Sequence, residues 1–472
     1  MVDDTAYDRV RYPSLIFPQT HPDRLAVLAR LAGLDPVLPA EARVLEIGGG
    51  DCLNTLTFAA SHPGAMVCGF DLSRAAIADG QALIAGAGLA NAELVVEDIL
   101  DARQRYAAGS FDYVVAHGVY AWVPPAVREA TMALIGHVLS DRGVAFVSFN
   151  LSAGGHIRQY LREMLEEHLR GVVDPAQRLE KAREHLAAFS RSSEDHGAVV
   201  AALREQAEKL LAKIPEVLHH DELSDCYYPQ SLRQFAEAAS SVGLRFLTDA
   251  GPQRSLDGFI PESAPEPADQ DEQVIQAAHR DDFATARFFR QGLLVRAGQP
   301  IRRRIDPDRL DGLFISARLT RDEDGDLVGS EGRVTLMDDG LADRIAALAP
   351  RYPERVPLAT IAPEPDQRRA VLQLFAGWLV SLHVEPLPFP LSPGERPRAS
   401  GLVRQRISEG AEVVPTLDCT LLRVGQPEMR QLLLAADGTR TVAELAAMDH
   451  GISGDQIAGA LNAAARLGLI AG

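Results

Sequence analysis

Cysteine is scarce in this chain, four among 472 residues at positions 52, 68, 226 and 419, with no C-x-x-C spacing. That scatter argues against a disulfide framework or a cysteine metal site, so no metal is expected, and it fits a reducing cytoplasm. Long apolar runs are missing too, since no stretch approaches the roughly 18 residues that would cross a bilayer. The opening residues carry Asp3, Asp4 and Asp8 instead of a basic flank and an apolar core, so no signal peptide is expected. Basic residues are in deficit, 47 against 65 acidic ones, which leaves a formal net charge of −18. Such a charge repels nucleic acid. It suits a cationic substrate such as a lysine side chain or a basic peptide, and it equally serves plain solubility. Nothing in the remaining composition, 46% hydrophobic and 24% charged, departs from a globular chain of two to four domains.

The stretch Ala42-Arg-Val-Leu-Glu-Ile-Gly-Gly-Gly-Asp51 organises the rest. Val44, Leu45 and Ile47 read as a buried strand that breaks into Gly48, Gly49 and Gly50, with a helix from Asn54 to Ala60. Glycine lets backbone approach a ligand closely, and strand, glycine turn and helix open a doubly wound nucleotide-binding sheet. A dinucleotide fingerprint wants a third glycine where Leu53 stands. Glu46, inside the strand end, instead offers a carboxylate to an ammonium, which suits the amino-acid end of S-adenosylmethionine better than a pyrophosphate. This E-x-G-x-G pattern resembles the first motif of class I methyltransferases.

Further strands end in polar residues. Ala65 to Asp71 is a second strand, and its acid falls about 20 residues after the glycines, where a carboxylate accepts the two ribose hydroxyls. Glu93 to Ile99 reads as a third strand, with Asp98 accepting from an adenine amine and Ile99 packing on the ring. Phe111 to Gly118 is a fourth, bringing His117, and Gly143 to Asn150 a fifth. Ligands in such sheets lie at the carboxyl ends of the strands, where Glu46, Asp71, Asp98, His117 and Asn150 all fall. Before the first strand, Thr20 to Leu31 is helical. Tyr12, Thr20 and His21 either sit near the mouth of the site or hold the N-terminal arm to the domain.

From Gly154 to Lys213 the apolar spacing is helical throughout. Leu244 to Asp249 and Gln291 to Arg296 read as the closing antiparallel hairpin of the same sheet. The helices between would form an insertion, about 151–230, that covers the site as a lid or stands apart as a separate helical domain. Beyond residue 299 the order strand, three helices, closing apolar strand occurs twice, in 299–390 and 398–472, about a proline-rich linker. It suggests two winged-helix-like modules, suited by their charge to protein contact or homodimerisation more than to DNA.

Thr20-His-Pro-Asp-Arg24, Leu45 to Asp51, Gly69-Phe-Asp-Leu-Ser73 and Ala116-His-Gly-Val-Tyr-Ala-Trp-Val-Pro124 together resemble a bacterial group, class I methyltransferases with a C-terminal regulatory domain. The likeness continues through His220 to Leu223, Phe288 to Ala297, Gly394 to Ala399 and Leu432 to Thr439. The group includes rickettsial protein-lysine methyltransferases. It implies a seven-stranded Rossmann-like sheet over 1–298 with a helical insertion and two small α+β modules. It also implies S-adenosylmethionine as cofactor, S-adenosylhomocysteine as product, and a site formed by Glu46, Gly48, Gly49, Gly50, Asn54, Asp71, Leu72, Asp98, Ile99, His117 and Gly118. Two stretches depart from the group's pattern, Gly49 to Leu53 and Asn150 to Gly155. The second lies where the acceptor should enter.

Methyl transfer from a sulfonium is an in-line displacement, in which the protein aligns a lone pair about 3 Å from the methyl carbon and excludes water. An aromatic, desolvated pocket favours a neutral amine. Tyr120 and Trp122 would supply its walls, while neutral His117 or Asn150 holds the amine or takes a proton through water. The expected acceptor is a lysine or other amine on a protein or peptide. A small biosynthetic metabolite is the alternative, and a cofactor-sensing regulator that moves no methyl is the third reading.

Overall fold

The computed structural model describes residues 10–192, 194, 196–252, 254–448 and 451–472. The acids at positions 3, 4 and 8 lie outside the described residues. Seven strands make the main sheet: β1 (Arg43–Ile47), β2 (Met66–Asp71), β3 (Ala92–Val96), β4 (Phe111–Ala116), β5 (Leu139–Asn150), β6 (Leu244–Asp249) and β7 (Phe289–Arg296). Their order is β3-β2-β1-β4-β5-β7-β6. β1 runs parallel to β2 and β4, whereas β7 runs antiparallel to β5 and to β6. Val44, Leu45 and Ile47 are fully buried, as a central parallel strand covered on both faces requires.

Among the described residues, eleven α-helices accompany this sheet: α1 (Pro22–Leu31), α2 (Leu53–Ser61), α3 (Arg74–Ala87), α4 (Ile99–Arg105), α5 (Pro125–Val138), α6 (Ser152–His168), α7 (Pro175–Arg191), α8 (Ala198–Leu211), α9 (Pro215–Glu222), α10 (Leu232–Ser241) and α11 (Gln270–Ala284). Two sequence expectations change. The third strand stops at Val96, and Asp98 caps α4, accepting the Leu100 amide at 2.9 Å. Aspartate is a strong helix-capping residue, and here that local bond ends the extended run. The closing strands are antiparallel neighbours but not a hairpin, because α11 lies between them in the chain, started by Asp269 accepting from Asp271 and Glu272.

Helices α6 to α9 gather round their own small core of Leu161, Leu165, Leu186, Leu203, Leu210 and Leu218. The segment 299–390, in contrast, has no core to itself. Leu25 and Leu28 of α1, Val44 and Val67 of the sheet, and Leu341, Phe375 and Leu382 of this segment belong to one continuous cluster. The Thr20–Arg24 motif fastens the joint. Asp23 accepts from the Val384 amide at 2.7 Å and pairs with His383 at 2.7 Å, and Arg24 stacks over Trp378 at 4.6 Å. In the segment, Val380–His383 pairs antiparallel with Phe314–Ala317, after helices at Asp339–Ala346, Leu358–Ile361 and Pro365–Ala376.

The last segment repeats that order with an extra first helix, Gly401–Ser408, which the sequence reading lacks. A hairpin of Val413–Pro415 and Leu421–Arg423 follows, then helices Pro427–Ala435, Val442–Ala446 and Gly454–Arg466, and Ile470 bridges back to Ala399. Leu402 packs among Cys52, Leu53, Leu56, Ile77, Leu83 and Leu94. The C-terminal segment therefore sits against α2 and α3, the helices that follow the first two strands.

Candidate functional site

A cavity of about 750 Å³ opens along the carboxyl edge of the sheet. Its floor is the turn after β1. Gly48 and Gly50 have φ of +63° and +61°, a left-handed backbone that side chains disfavour, and a Cβ on Gly50 would meet only open space. Asp71 ties this turn to β2, accepting the Gly50 amide at 2.9 Å and the Ser73 amide at 2.8 Å. A carboxylate oxygen can accept more than one hydrogen bond.

Glu46 is 3% exposed. It accepts from Asn54 Nδ2 at 3.1 Å and from Thr55 Oγ1 at 2.6 Å, and no described cation pairs with it. Burial pushes its carboxyl up to about 7, against the pull of those two donors. A positive group arriving in the cavity would restore the charged form.

The N-terminal arm crosses above. Phe17 lays its ring on His117, centroids 3.7 Å apart and planes 18° off parallel, and its amide donates to Asn54 Oδ1 at 2.9 Å. Burial lowers His117 to about 4, so its imidazole is neutral at physiological pH. Gly118 donates its amide to Ser148 Oγ at 2.8 Å.

At the other end stand Trp122, Asn150, Phe288, Phe289 and three residues of the insertion, Arg158, His220 and Asp221. Asn150 is 3% exposed and its Oδ1 has no hydrogen-bond partner among the described residues. A buried acceptor without a donor is a costly state, and it fits a site completed by a ligand. Arg158 lies 4.8 Å over the Trp122 ring and grips Glu222 with two bonds of 3.0 and 2.5 Å. Burial alone would raise the Glu222 carboxyl, but Arg158 and Lys213 bring it below its ordinary value. Seven acids line the cavity against two arginines. Both arginines are engaged, Arg11 with Asp79 and Arg158 with Glu222 and Asp221.

Of the residues singled out in the sequence, fourteen line this one cavity: Tyr12, Glu46, Gly48, Gly49, Gly50, Asn54, Asp71, Leu72, Asp98, Ile99, His117, Gly118, Trp122 and Asn150. Three do not. Tyr120 is 2% exposed and packs edge-on against Phe235 at 5.7 Å, so the core and not the cavity receives its ring. Thr20 lies behind Asn54, accepting from its Nδ2 at 3.0 Å. His21 caps α1 and meets Phe58 edge-on at 5.2 Å. Thr20 and His21 thus hold the arm to the domain, the second of their two readings. Missed were Phe17, Ser14, Asp51, Arg158, His220 and the Phe288–Phe289 pair. A signal for some of these existed, since the resemblance runs through Asp51, His220 and the Phe288–Phe289 pair without giving any of them a role.

A seven-stranded sheet with an antiparallel seventh strand, a glycine turn after β1 and a carboxylate ending β2 define a class I methyltransferase fold. A methyltransferase-domain family matches residues 45–145, and a predicted methyltransferase regulatory domain matches 215–296. The regulatory match runs from α9 to β7 and so includes His220 and Asp221, whereas the sequence reading gives the regulatory label to 299–390. Uncharacterized protein RP028 of Rickettsia prowazekii is 31% identical over 243 residues, covering 51% of this chain and 96% of that one. Uncharacterized protein RP789 of the same organism is 28% identical over 310 residues, 65% of this chain and 56% of the relative. PKMT2 from Rickettsia typhi, solved in complex with AdoHcy, superposes with a TM-score of 0.79 at 22% identity, over 98% of this chain and 100% of that one. The chain belongs to the family of methyltransferases that carry this predicted regulatory domain.

Proposed function

We propose that the chain binds S-adenosylmethionine in this cavity and transfers its methyl group to the nitrogen of an amine, on a lysine of a protein or peptide. Asp71 takes the ribose diol, Glu46 faces the amino-acid end, and Asp98 and Ile99 receive the adenine. The backbone of Gly48 to Gly50 and of Gly118 lies beneath. The donor supplies an activated methyl, and the chain's own groups bind, orient and keep water out.

The observation that carries the amine reading is the unpartnered Asn150 Oδ1 at the acceptor end. A neutral amine can give one N–H to that oxygen and keep its lone pair for the methyl carbon. Trp122, Phe288 and Phe289 make the surroundings apolar, which favours the uncharged amine. Neutral His117 stands at the same edge to accept a proton directly or through water. The relative PKMT2 and the net acidity of the cavity both suit a basic protein acceptor in the cytoplasm, with the C-terminal segments serving protein contact or homodimerisation. A small metabolite is the second reading. It is favoured by the way the insertion closes the acceptor end with Arg158, His220 and Asp221.

Incubation with methyl-labelled S-adenosylmethionine and a cell extract, followed by separation of macromolecular from small-molecule label, tests both. Label in protein, recovered as methyl-lysine after hydrolysis, is the expected outcome. Label confined to small molecules transfers the case to the second reading, and no transferred label with intact cofactor binding would make the protein a sensor.

A further inference from the structure

We propose that Phe17 is a positioning residue for this site, the piece of the N-terminal arm that closes the cofactor end and sets the orientation of His117 and Asn54. The inference rests on the cavity being the S-adenosylmethionine site, and adds a residue that no sequence motif marks.

Two orientations depend on it. The His117 ring lies between two nearly parallel aromatic planes, Phe17 at 3.7 Å and 18°, and Phe146 at 5.8 Å and 13°. Removing Phe17 uncovers one face of the imidazole to water. Asn54 poses a different problem, because its amide has two ends of nearly equal shape. Its oxygen receives the Phe17 amide at 2.9 Å, which leaves its NH₂ group for Glu46 at 3.1 Å. A rotated amide would set oxygen against the Glu46 carboxylate, so the arm's donor decides which end the carboxylate meets.

Beside the Phe17 ring, Ile16 packs against two of the hydrophobic clusters and ties the arm to the core. Phe17 is half-buried and belongs to none of the hydrophobic clusters. Its other holds are a hydroxyl bond from Ser14 to Asp51, an ion pair of Arg11 with Asp79 at 3.1 Å, and His220 Nε2 donating to the Val10 carbonyl at 2.7 Å. The Arg11 and Asp79 side chains are 48% and 61% exposed, so their pair adds little. The stacked ring is the arm's contact with His117.

The test compares Phe17→Ala, Phe17→Leu and Phe17→Tyr in the full chain. Calorimetry measures S-adenosylhomocysteine affinity, and NMR of histidine-labelled protein follows the titration of His117. An aromatic pair of this kind is worth about tenfold in an equilibrium. Phe17→Ala is therefore expected to weaken affinity by about that factor, and to move the His117 midpoint up from about 4 toward the ordinary histidine value. Phe17→Tyr should restore both. Should the alanine variant fold poorly, Phe17→Leu keeps apolar bulk without the flat face and should still shift the midpoint. Unchanged affinity and an unmoved His117 in a folded alanine or leucine variant would overturn the proposal. Wild-type protein that binds no S-adenosylhomocysteine would instead overturn the reading of the cavity.

Discussion

Glu46 is held in a protonation state that its ligand must change. Burial raises its carboxyl to about 7, above the ordinary 4.5, so between those values the folded empty protein binds a proton that the unfolded chain releases. Stability contributed by the protonated group is fully present below pH 4.5 and is lost as pH rises through 7. The cofactor's ammonium favours the ionised form, so cofactor affinity should climb from pH 6 to pH 8. At pH 6 binding should release close to one proton, measurable as a buffer-dependent enthalpy. Glu46→Gln should raise the melting temperature of the empty protein at pH 8 and weaken cofactor binding at the same pH.

Asn150 gives a second trade of the same kind. Asn150→Leu removes a buried acceptor that has no donor, so the fold should keep or gain stability. Turnover should fall by about 10- to 100-fold, the worth of a hydrogen bond to a reacting group, with cofactor affinity unchanged by calorimetry. Residues such as Glu46, Asp71 and Asn150 are legible because strand ends have a fixed address in a doubly wound sheet. Phe17 and Arg158 have none. Each reaches the cavity from a segment whose path depends on what it packs against.

Among the elements, the insertion bears on the site most directly. Arg158 of α6 and Glu222 of α9 form a pair in which the carboxylate side chain is 0% exposed. Removing Arg158 leaves the buried Glu222 carboxylate with Lys213, 3.0 Å away, as its remaining partner, which weakens the hold on α9. Arg158→Ala should therefore speed hydrogen exchange across 215–222, while Arg158→Ala with Glu222→Gln should recover part of the protection. Exchange unaltered by the single change would show that the pair does not hold α9. The strands are readable from sequence through runs such as Val44-Leu45 and Val114-Val115. Helix α10 is readable through the Ser231 and Gln234 capping box. Helix α11 is hidden by its acidic, proline-rich approach at 261–269, and Gly401–Ser408 by a stripe of only three buried residues.

Across the whole molecule, the N-terminal helix, the sheet and residues 299–390 share one core. The boundary drawn near 298 from the order of the elements is thus not a gap in packing. A chain cut after 298 should be insoluble or melt far lower, since Leu341, Phe375 and Leu382 leave with the removed part. Leu402 offers a gentler probe, being 1% exposed among the residues that follow the glycine turn. Leu402→Ala should cost about 2–5 kcal/mol in global stability by chemical denaturation. If the seat of the C-terminal segment supports the turn, cofactor affinity should drop as well.

Beside Leu402, that seat brings two glycines into close contact. A Cβ at Gly401 would collide with the carbonyl oxygen of Ala87, and one at Gly86 with the Gln405 side chain. The smallest possible wedge, Gly401→Ala, would therefore push the C-terminal segment off α3 and loosen the packing of Leu402 beside it. A single methyl thus suffices to disturb the contact between the last segment and the helix that follows β2.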